Sequence, residues 1–274
     1  MVLSAVRGAL AFLTRLPVGA DEDGWEAFRR TPAAIPVVGY VAGLLAAIPF
    51  AAGAVASLAS LPVPSIALAY LVVLYGLTGI THLDGLADCA DAAIVHGDVD
   101  RRREVAKDET VGVGAAVALG FALVGLTLAA LALADRPPVV AVVLVLVAEV
   151  GARTGMAALV CLGDAAYDGM GASLTGVNGG RDLIVVAVVA APVAVVLPAL
   201  IAGAPGALPS SLGGHAPLAP AVVATFLGAL AGITLVYAWA RSRLGGVSGD
   251  VLGAANEIGR LLALHLGVIA WTLS

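Results

Sequence analysis

Three aspartates in one short segment have the spacing of a metal-binding site. Asp84, Asp88 and Asp91 lie within residues 82–91, separated by four and three positions. On a helix these spacings place all three carboxylates on one face. Like charges so close repel one another, so a hard cation such as Mg²⁺, held by oxygen ligands and bridging to phosphate, would offset the repulsion. The alternative interpretation is a solvated acidic helix end.

A second acidic segment, residues 248–257, has a similar pattern. Asp250 and Glu257 are seven positions apart, the same offset as the outer pair of the first segment. Two acidic helix starts could face each other across a pair of metal ions, an arrangement that suits in-line displacement at phosphorus. Asp250 could instead cap a helix, and Glu257 could pair with Arg260 three positions later. These roles do not exclude metal binding.

The basic residues that could bind phosphate are few. Lys107 is the only lysine of the chain, is followed by Asp108, and precedes Gly112 and Gly114. A lysine neutralises phosphate as a point charge, and glycines allow the backbone to approach it. Arg153 lies near a predicted helix end, where it could either determine membrane topology or bind phosphate.

The elements that position these residues are predicted to be membrane helices. The chain is 61% hydrophobic and 12% charged, with a mean hydropathy of +1.04, whereas soluble domains are about 25% charged. The absence of a basic patch argues against nucleic-acid binding. Walker, Gly-x-Ser-x-Gly and His-Glu-x-x-His motifs are also absent, as is the dinucleotide-binding fingerprint in its required context, so hydrolase and redox functions have little support.

The hydropathy pattern predicts an all-α, polytopic membrane bundle of about seven helices. We expect a single integral membrane domain over residues 1–274, with residues 1–34 as an interfacial N-terminal segment. A span requires about 20 mostly apolar residues. The fourth candidate is short unless it continues to Leu162 with Glu149 and Arg153 turned inward. The seven candidates are residues 35–59, 65–80, 112–134, 139–151, 183–201, 219–239 and 251–271.

The loops between these spans alternate in positive charge. Lys and Arg number twelve on one side and one on the other, so the positive-inside rule predicts a cytoplasmic N-terminus and an external C-terminus in a cell-membrane protein. Most candidate site residues then lie on the cytoplasmic side. This asymmetry favours a one-sided active site over a transport path, which needs polar groups through the midplane.

Several motifs resemble those of the cobalamin synthase family, the adenosylcobinamide-GDP ribazoletransferases. The similarity follows the order of the family's motifs and covers most of the chain. The segments that carry it are residues 82–91 (HLDGLADCAD), 12–17 (FLTRLP), 36–39 (PVVG), 107–108 (KD) with Gly112 and Gly114, and 248–254 (SGDVLGA) with Glu257. Residues 109–111 depart from the family, which often has Arg or His there.

The resemblance implies a membrane phosphotransferase that completes the nucleotide loop of cobalamin. The substrates would be adenosylcobinamide-GDP and either α-ribazole or α-ribazole 5′-phosphate. GMP would be released as the second product, and Mg²⁺ would be the cofactor. An acidic residue, for example Asp91, would accept the proton of the attacking hydroxyl. The expected metal ligands are Asp84, Asp88, Asp91, Asp250 and Glu257. The expected catalytic residues are Asp84, Asp88, Asp91, Lys107 and Asp108. The residues expected to bind phosphate or complete the cofactor site are Arg153, Asp250 and Glu257.

Two other functions compete with this one. A CDP-alcohol phosphotransferase uses carboxylates on membrane helices in the same way, but its Asp-x-x-Asp-Gly-x-x-Ala-Arg motif has a two-residue gap and an arginine that this chain lacks. A transporter of cations or organic ions would require polar groups across the membrane. We expect the lipid bilayer and the small-molecule substrates as partners, with an oligomer possible.

Overall fold

The computed structural model describes residues 2–52, 61–108, 110–203 and 218–274. These residues form helices and one isolated β-bridge between Ala165 and Val247. The helices are α1 (Val2–Leu13), α2 (Glu22–Arg29), α3 (Ala34–Ala46), α4 (Ile48–Ala52), α5 (Val63–Thr78), α6 (Thr81–Ile94), α7 (Val99–Val105), α8 (Val113–Ala134), α9 (Pro138–Leu162), α10 (Met170–Thr175), α11 (Asp182–Ala191), a π-helical segment (Pro192–Val196), α12 (Leu197–Gly203), α13 (Leu218–Arg243) and α14 (Gly249–Leu273).

The membrane-spanning helices confirm the predicted all-α bundle. Within the described residues, six helical stretches are long and apolar enough to cross a bilayer, and α5 together with α6 gives a seventh if that bent pair is counted. The end of the first predicted span, residues 53–59, lies outside the described residues. The six stretches are Ala34–Ala52, Val113–Ala134, Pro138–Leu162, Asp182–Leu200, Leu218–Arg243 and Gly249–Leu273.

Helix α9 lies at the centre of the bundle and α8 and α11 lie at its periphery. The fourth span continues to Leu162, and Glu149 and Arg153 on it are both fully buried, as the longer alternative predicted. Phe121 on α8 and Ile184 on α11 instead expose most of their side chains. Large apolar groups at the surface of such helices are expected to contact lipid.

A sharp bend separates α6 from α5. The two helix axes differ in direction by 91°, and Gly79 between them adopts φ +71°, a conformation that glycine adopts without steric cost. Helix α6 has 14 residues and carries three aspartates, so it is too short and too charged to cross a bilayer alone. The bend therefore places the first acidic segment at one end of the bundle.

Helices α6 and α14 touch through their backbones. A Cβ atom on Gly85 would lie 2.6 Å from the carbonyl oxygen of Asp250, and one on Gly253 would lie 3.1 Å from Cα of His82. The first distance leaves no room for a side chain at Gly85, and the second is tighter than an ordinary van der Waals contact at Gly253. This close approach brings the two acidic segments of the sequence together.

The N-terminal segment forms a helical hairpin over the same end of the bundle. Asp21 caps α2 by accepting a hydrogen bond from the Gly24 amide at 2.7 Å, and the backbone of Gly24 lies against Gly8 on α1. Phe28, on the inner face of α2, is only 1% exposed. The hairpin is thus packed on the bundle.

Candidate functional site

The two acidic segments line one cleft of about 440 Å³. The cleft lies between α6, the start of α14 and the loop that precedes α8. Its charged lining residues are Asp84, Asp88, Asp91, Lys107, Asp108 and Asp250. The structure therefore brings together six of the eight site residues that the sequence predicted.

The side-chain carboxylates of Asp84 and Asp88 accept no hydrogen bond and form no ion pair within the part of the chain that the structure describes. Asp84 is exposed to the cleft and Asp88 is half-buried. Burial, followed by repulsion from Asp250, Asp84 and Asp91, raises the pKa of Asp88 to about 7. The described residues thus leave a concentration of negative charge that a bound cation would neutralise.

Asp91 has a structural role that the sequence did not reveal. Its carboxylate accepts hydrogen bonds from the Gly112 amide at 2.7 Å and from the Ala115 amide at 2.9 Å, so it caps the N-terminus of α8. Cβ atoms on Gly112 or Gly114 would collide with this carboxylate. These glycines therefore allow α8 to approach Asp91, whereas we expected them to approach a phosphate.

We expect replacement of Asp91 by alanine to destabilise the protein. The change removes the acceptor for two amides at the start of α8, and loss of such a cap costs about 0.5–2 kcal/mol. Asp91→Asn keeps one acceptor oxygen and should lose less. Thermal unfolding in detergent measures both variants, and equal unfolding temperatures for wild type and Asp91→Ala would contradict the capping role.

The start of α14 and Lys107 form the rest of the cleft. The Ser248 hydroxyl accepts a hydrogen bond from the Val251 amide at 3.2 Å and so caps α14. Tyr167 donates a hydrogen bond to Oδ2 of Asp250 at 3.2 Å, and Nζ of Lys107 lies 4.1 Å from the centre of the Tyr167 ring. Tyr167 thus links the only lysine to an acidic residue, a contact that no local pattern indicated.

Asp108 is exposed and organises the loop that leads to α8. Its Oδ1 accepts hydrogen bonds from the amide (3.0 Å) and the hydroxyl (2.8 Å) of Thr110. These bonds, the hydroxyl bond first, lower the pKa of the Asp108 carboxyl. Asp108 therefore stays charged at the rim of the cleft beside Lys107.

Comparison with known proteins gives a consistent result. Residues 5–268 match the family model described as cobalamin-5-phosphate synthase. The chain belongs to this family. It is 46% identical to the adenosylcobinamide-GDP ribazoletransferase of Halorubrum lacusprofundi over 99% of both chains, and 44% identical to that of Haloquadratum walsbyi over the full length of both. The protein of the same name from Escherichia coli is 33% identical over 93% of this chain and 95% of its own. No solved structure matches.

Two predicted site residues, Arg153 and Glu257, lie in a buried charge network rather than in the cleft. The network comprises Glu149 and Arg153 of α9 and Glu257 and Arg260 of α14, all at most 2% exposed. Both arginines donate to the Glu149 carboxylate. Arg260 also donates to Glu257 at 2.5 Å, and Tyr75 of α5 donates to Glu257 at 3.2 Å.

The geometry gives these two residues a role different from the predicted one. Asp250 and Glu257 share a face of α14, but seven residues separate them by about 10 Å along the helix axis. Arg153 and Glu257 are partnered by oppositely charged groups inside the bundle. The structure does not bring either of them to the cleft as a phosphate or metal ligand.

The donor set of the cleft fits Mg²⁺ in part. Among residues 2–52, 61–108, 110–203 and 218–274, no three His, Cys, Asp or Glu side chains are arranged to hold one metal ion. Mg²⁺ is usually held by only one or two carboxylates together with water and substrate phosphates. Asp84 and Asp88 are carboxylates of that kind, because they have no other described partner.

Proposed function

We propose that this protein joins adenosylcobinamide-GDP and α-ribazole, or the 5′-phosphate of α-ribazole, and releases GMP. Family membership and the names of full-length relatives support this reaction. The observation that carries it is the cleft, where two carboxylates without described partners lie with a lysine. Such a cleft suits a diphosphate that is bound together with a cation, because it offers charges of both signs.

The proposed reaction is an in-line displacement at phosphorus. The ribazole hydroxyl attacks the phosphorus attached to cobinamide, the bond to the bridging oxygen breaks, and GMP leaves with that oxygen. The proton of the hydroxyl would pass to a carboxylate of the cleft. Asp84, Asp88 and Asp250 would hold Mg²⁺, which neutralises diphosphate charge. Lys107 would bind a phosphate oxygen. Asp91 positions α8 through the hydrogen bonds described above, so we assign it a positioning role.

We expect purified protein in liposomes to release GMP only when donor, acceptor and Mg²⁺ are all present. The donor is adenosylcobinamide-GDP and the acceptor is α-ribazole, and liquid chromatography quantifies GMP and the cobamide in equal amounts. Chelation of Mg²⁺ should stop both products, because the carboxylates then repel the diphosphate instead of binding it.

Omission of each component is the control for this assay. Release of GMP without an acceptor would indicate hydrolysis rather than transfer. Unchanged turnover after chelation would contradict the proposed metal. No release by a preparation that still unfolds cooperatively would refute the proposed reaction.

We also propose that the protein resides in the cell membrane with the cleft on its cytoplasmic side. The distribution of Lys and Arg, twelve against one between the two sets of loops, supports this orientation. The six or seven apolar helical stretches support the membrane location. Both substrates would then enter the cleft from the cytosol.

A further inference from the structure

A second cavity, of about 270 Å³, adjoins the acidic cleft. The N-terminal hairpin, α3, α6, α9, α10 and the start of α14 line it. Asp84 and Asp250 line both the cavity and the cleft, so the two spaces meet at these carboxylates. A ligand of suitable length could therefore occupy both at once.

The lining of the cavity is mainly apolar and aromatic. Phe12, Phe28, Ile35, Met156 and Leu174 form most of its wall. Phe28, Ile35, Met156 and Leu174 are each at most 3% exposed, so their positions are fixed by packing. Ligand pockets commonly combine such a lining with a few polar groups that orient the ligand.

An aromatic cluster holds this wall in place. The ring centres of Phe12 and Phe28 are 5.7 Å apart. Trp25 packs on both, at 5.2 Å from Phe12 and 5.8 Å from Phe28. These separations are typical of attractive aromatic pairs. The hairpin thus contributes a preorganised surface on which another flat ring could pack.

Two polar groups, Thr81 and His82, lie at the α6 side of the cavity. The amide nitrogen of Asn256 lies 3.0 Å from Nδ1 of His82 and fixes the orientation of the imidazole. Nε2 is then the ring nitrogen that remains for a ligand. Because the cavity is apolar and has few polar groups, it suits a ligand with few hydrogen-bonding atoms.

We propose that this cavity binds the aromatic base of the acceptor nucleoside and thereby selects which base the product carries. This inference rests on the proposed function. A cavity of about 270 Å³ is at the lower limit of small-molecule pockets, a size that suits a fused two-ring base and excludes a corrin ring. With the base there, the ribose lies at the mouth between Asp84 and Asp250, and its hydroxyl points into the cleft.

The guanine of the donor is a less suitable occupant. Guanine has several hydrogen-bonding groups along its edges, and burying them against Phe28, Ile35 and Leu174 would leave them unpaired. Such unpaired groups cost about 1–3 kcal/mol each. A benzimidazole-type base has only one ring nitrogen that is not attached to the sugar, and the polar side of the cavity can accommodate it.

The test compares Met156→Ala with Leu159→Ala in the full chain. Leu159 lies on the same helix and is similarly buried, at 6% against 3% exposure, but it does not line the cavity. We expect Met156→Ala to raise the KM for α-ribazole about tenfold, because the loss of one apolar contact in a binding pocket typically has an effect of that size. It should also improve turnover of a ribazole analogue with a larger, three-ring base. Leu159→Ala should alter neither, and the KM for adenosylcobinamide-GDP should stay within about twofold of wild type in both.

The outcomes separate this inference from the proposed function. GMP release with an unchanged acceptor KM and unchanged base preference in Met156→Ala would overturn the cavity assignment and leave the transferase intact. A rise in the donor KM alone would assign the cavity to guanine and also overturn it. No GMP release by wild type would refute both. If Met156→Ala does not fold, Met170→Ala replaces it, because Met170 lines the cavity and is 40% exposed.

Discussion

Replacement of Asp88 by asparagine is expected to reduce GMP release at least about a hundredfold while the protein remains folded. Asp88 lies between Asp84 and Asp91 on α6 and has no described partner, so no protein contact is lost. The change removes one charge at nearly constant volume. Loss of a single group that stabilises transition-state charge typically lowers kcat about 10²–10³-fold.

The matched control is Asp100→Asn, which removes the same charge from a neighbouring helix. The Asp100 side chain is 90% exposed and contacts only Arg103 among the described ion pairs. GMP release by this variant should equal that of wild type. Wild-type turnover in Asp88→Asn would contradict the proposed metal site, and so would equal losses in the two variants.

The spacing of the aspartates predicted the location of the cleft. Offsets of four and three residues imply one helix face, and the structure places Asp84, Asp88 and Asp91 along one cleft. The pairing of this face with Asp250 was proposed from chemistry alone. Close packing of Gly85 on α14 brings the two together, and this long-range contact is invisible to local periodicity.

The same periodicity could not predict the role of each residue. The helical period specifies the direction in which a side chain points, but neither its depth in the bundle nor the partner it meets. Asp91 meets the N-terminus of α8, although it shares a face with Asp84. Glu257 shares a face with Asp250, yet Arg260 and Tyr75 bind it inside the bundle.

Charges within the apolar spans were the more informative signal. Glu149 with Arg153, and Glu257 with Arg260, have the offsets of helical ion pairs. The sequence predicted that Glu149 and Arg153 turn inward if the fourth span continues to Leu162, and that Glu257 could pair with Arg260. The structure confirms the burial of the first pair and the contact of the second. That Glu149 joins the two helices could not be predicted, because the contact from Arg260 to Glu149 spans 111 positions of sequence.

The N-terminal hairpin was the least predictable part of the site. The sequence indicated an interfacial segment over residues 1–34, and the structure has two helices there, Val2–Leu13 and Glu22–Arg29. Phe12 and Phe28 then form a wall of the second cavity. Short amphipathic helices have similar patterns whether they pack on lipid or on protein, so their position required the whole fold.

Replacement of Arg260 by methionine is expected to destabilise the bundle by about 3–5 kcal/mol, the cost of breaking a buried ion pair by removing one partner. Arg260 contacts both Glu149 and Glu257, and the buried charge network contains two positive and two negative side chains. The variant leaves one negative charge unbalanced within apolar surroundings. Its unfolding temperature and its yield in the membrane fraction should both fall.

A second change should restore much of this loss. In Arg260→Met with Glu257→Gln the charges balance again, and the pair of Glu149 with Arg153 remains in place. We expect the unfolding temperature of the double variant to lie between those of Arg260→Met and wild type. The double variant also tests the role of Glu257. If Glu257 were a metal ligand, the double variant would fold but would release no GMP. If Glu257 acts only in the buried charge network, GMP release should stay within about tenfold of wild type. If the double variant were no more stable than Arg260→Met, charge balance would not be the function of the network.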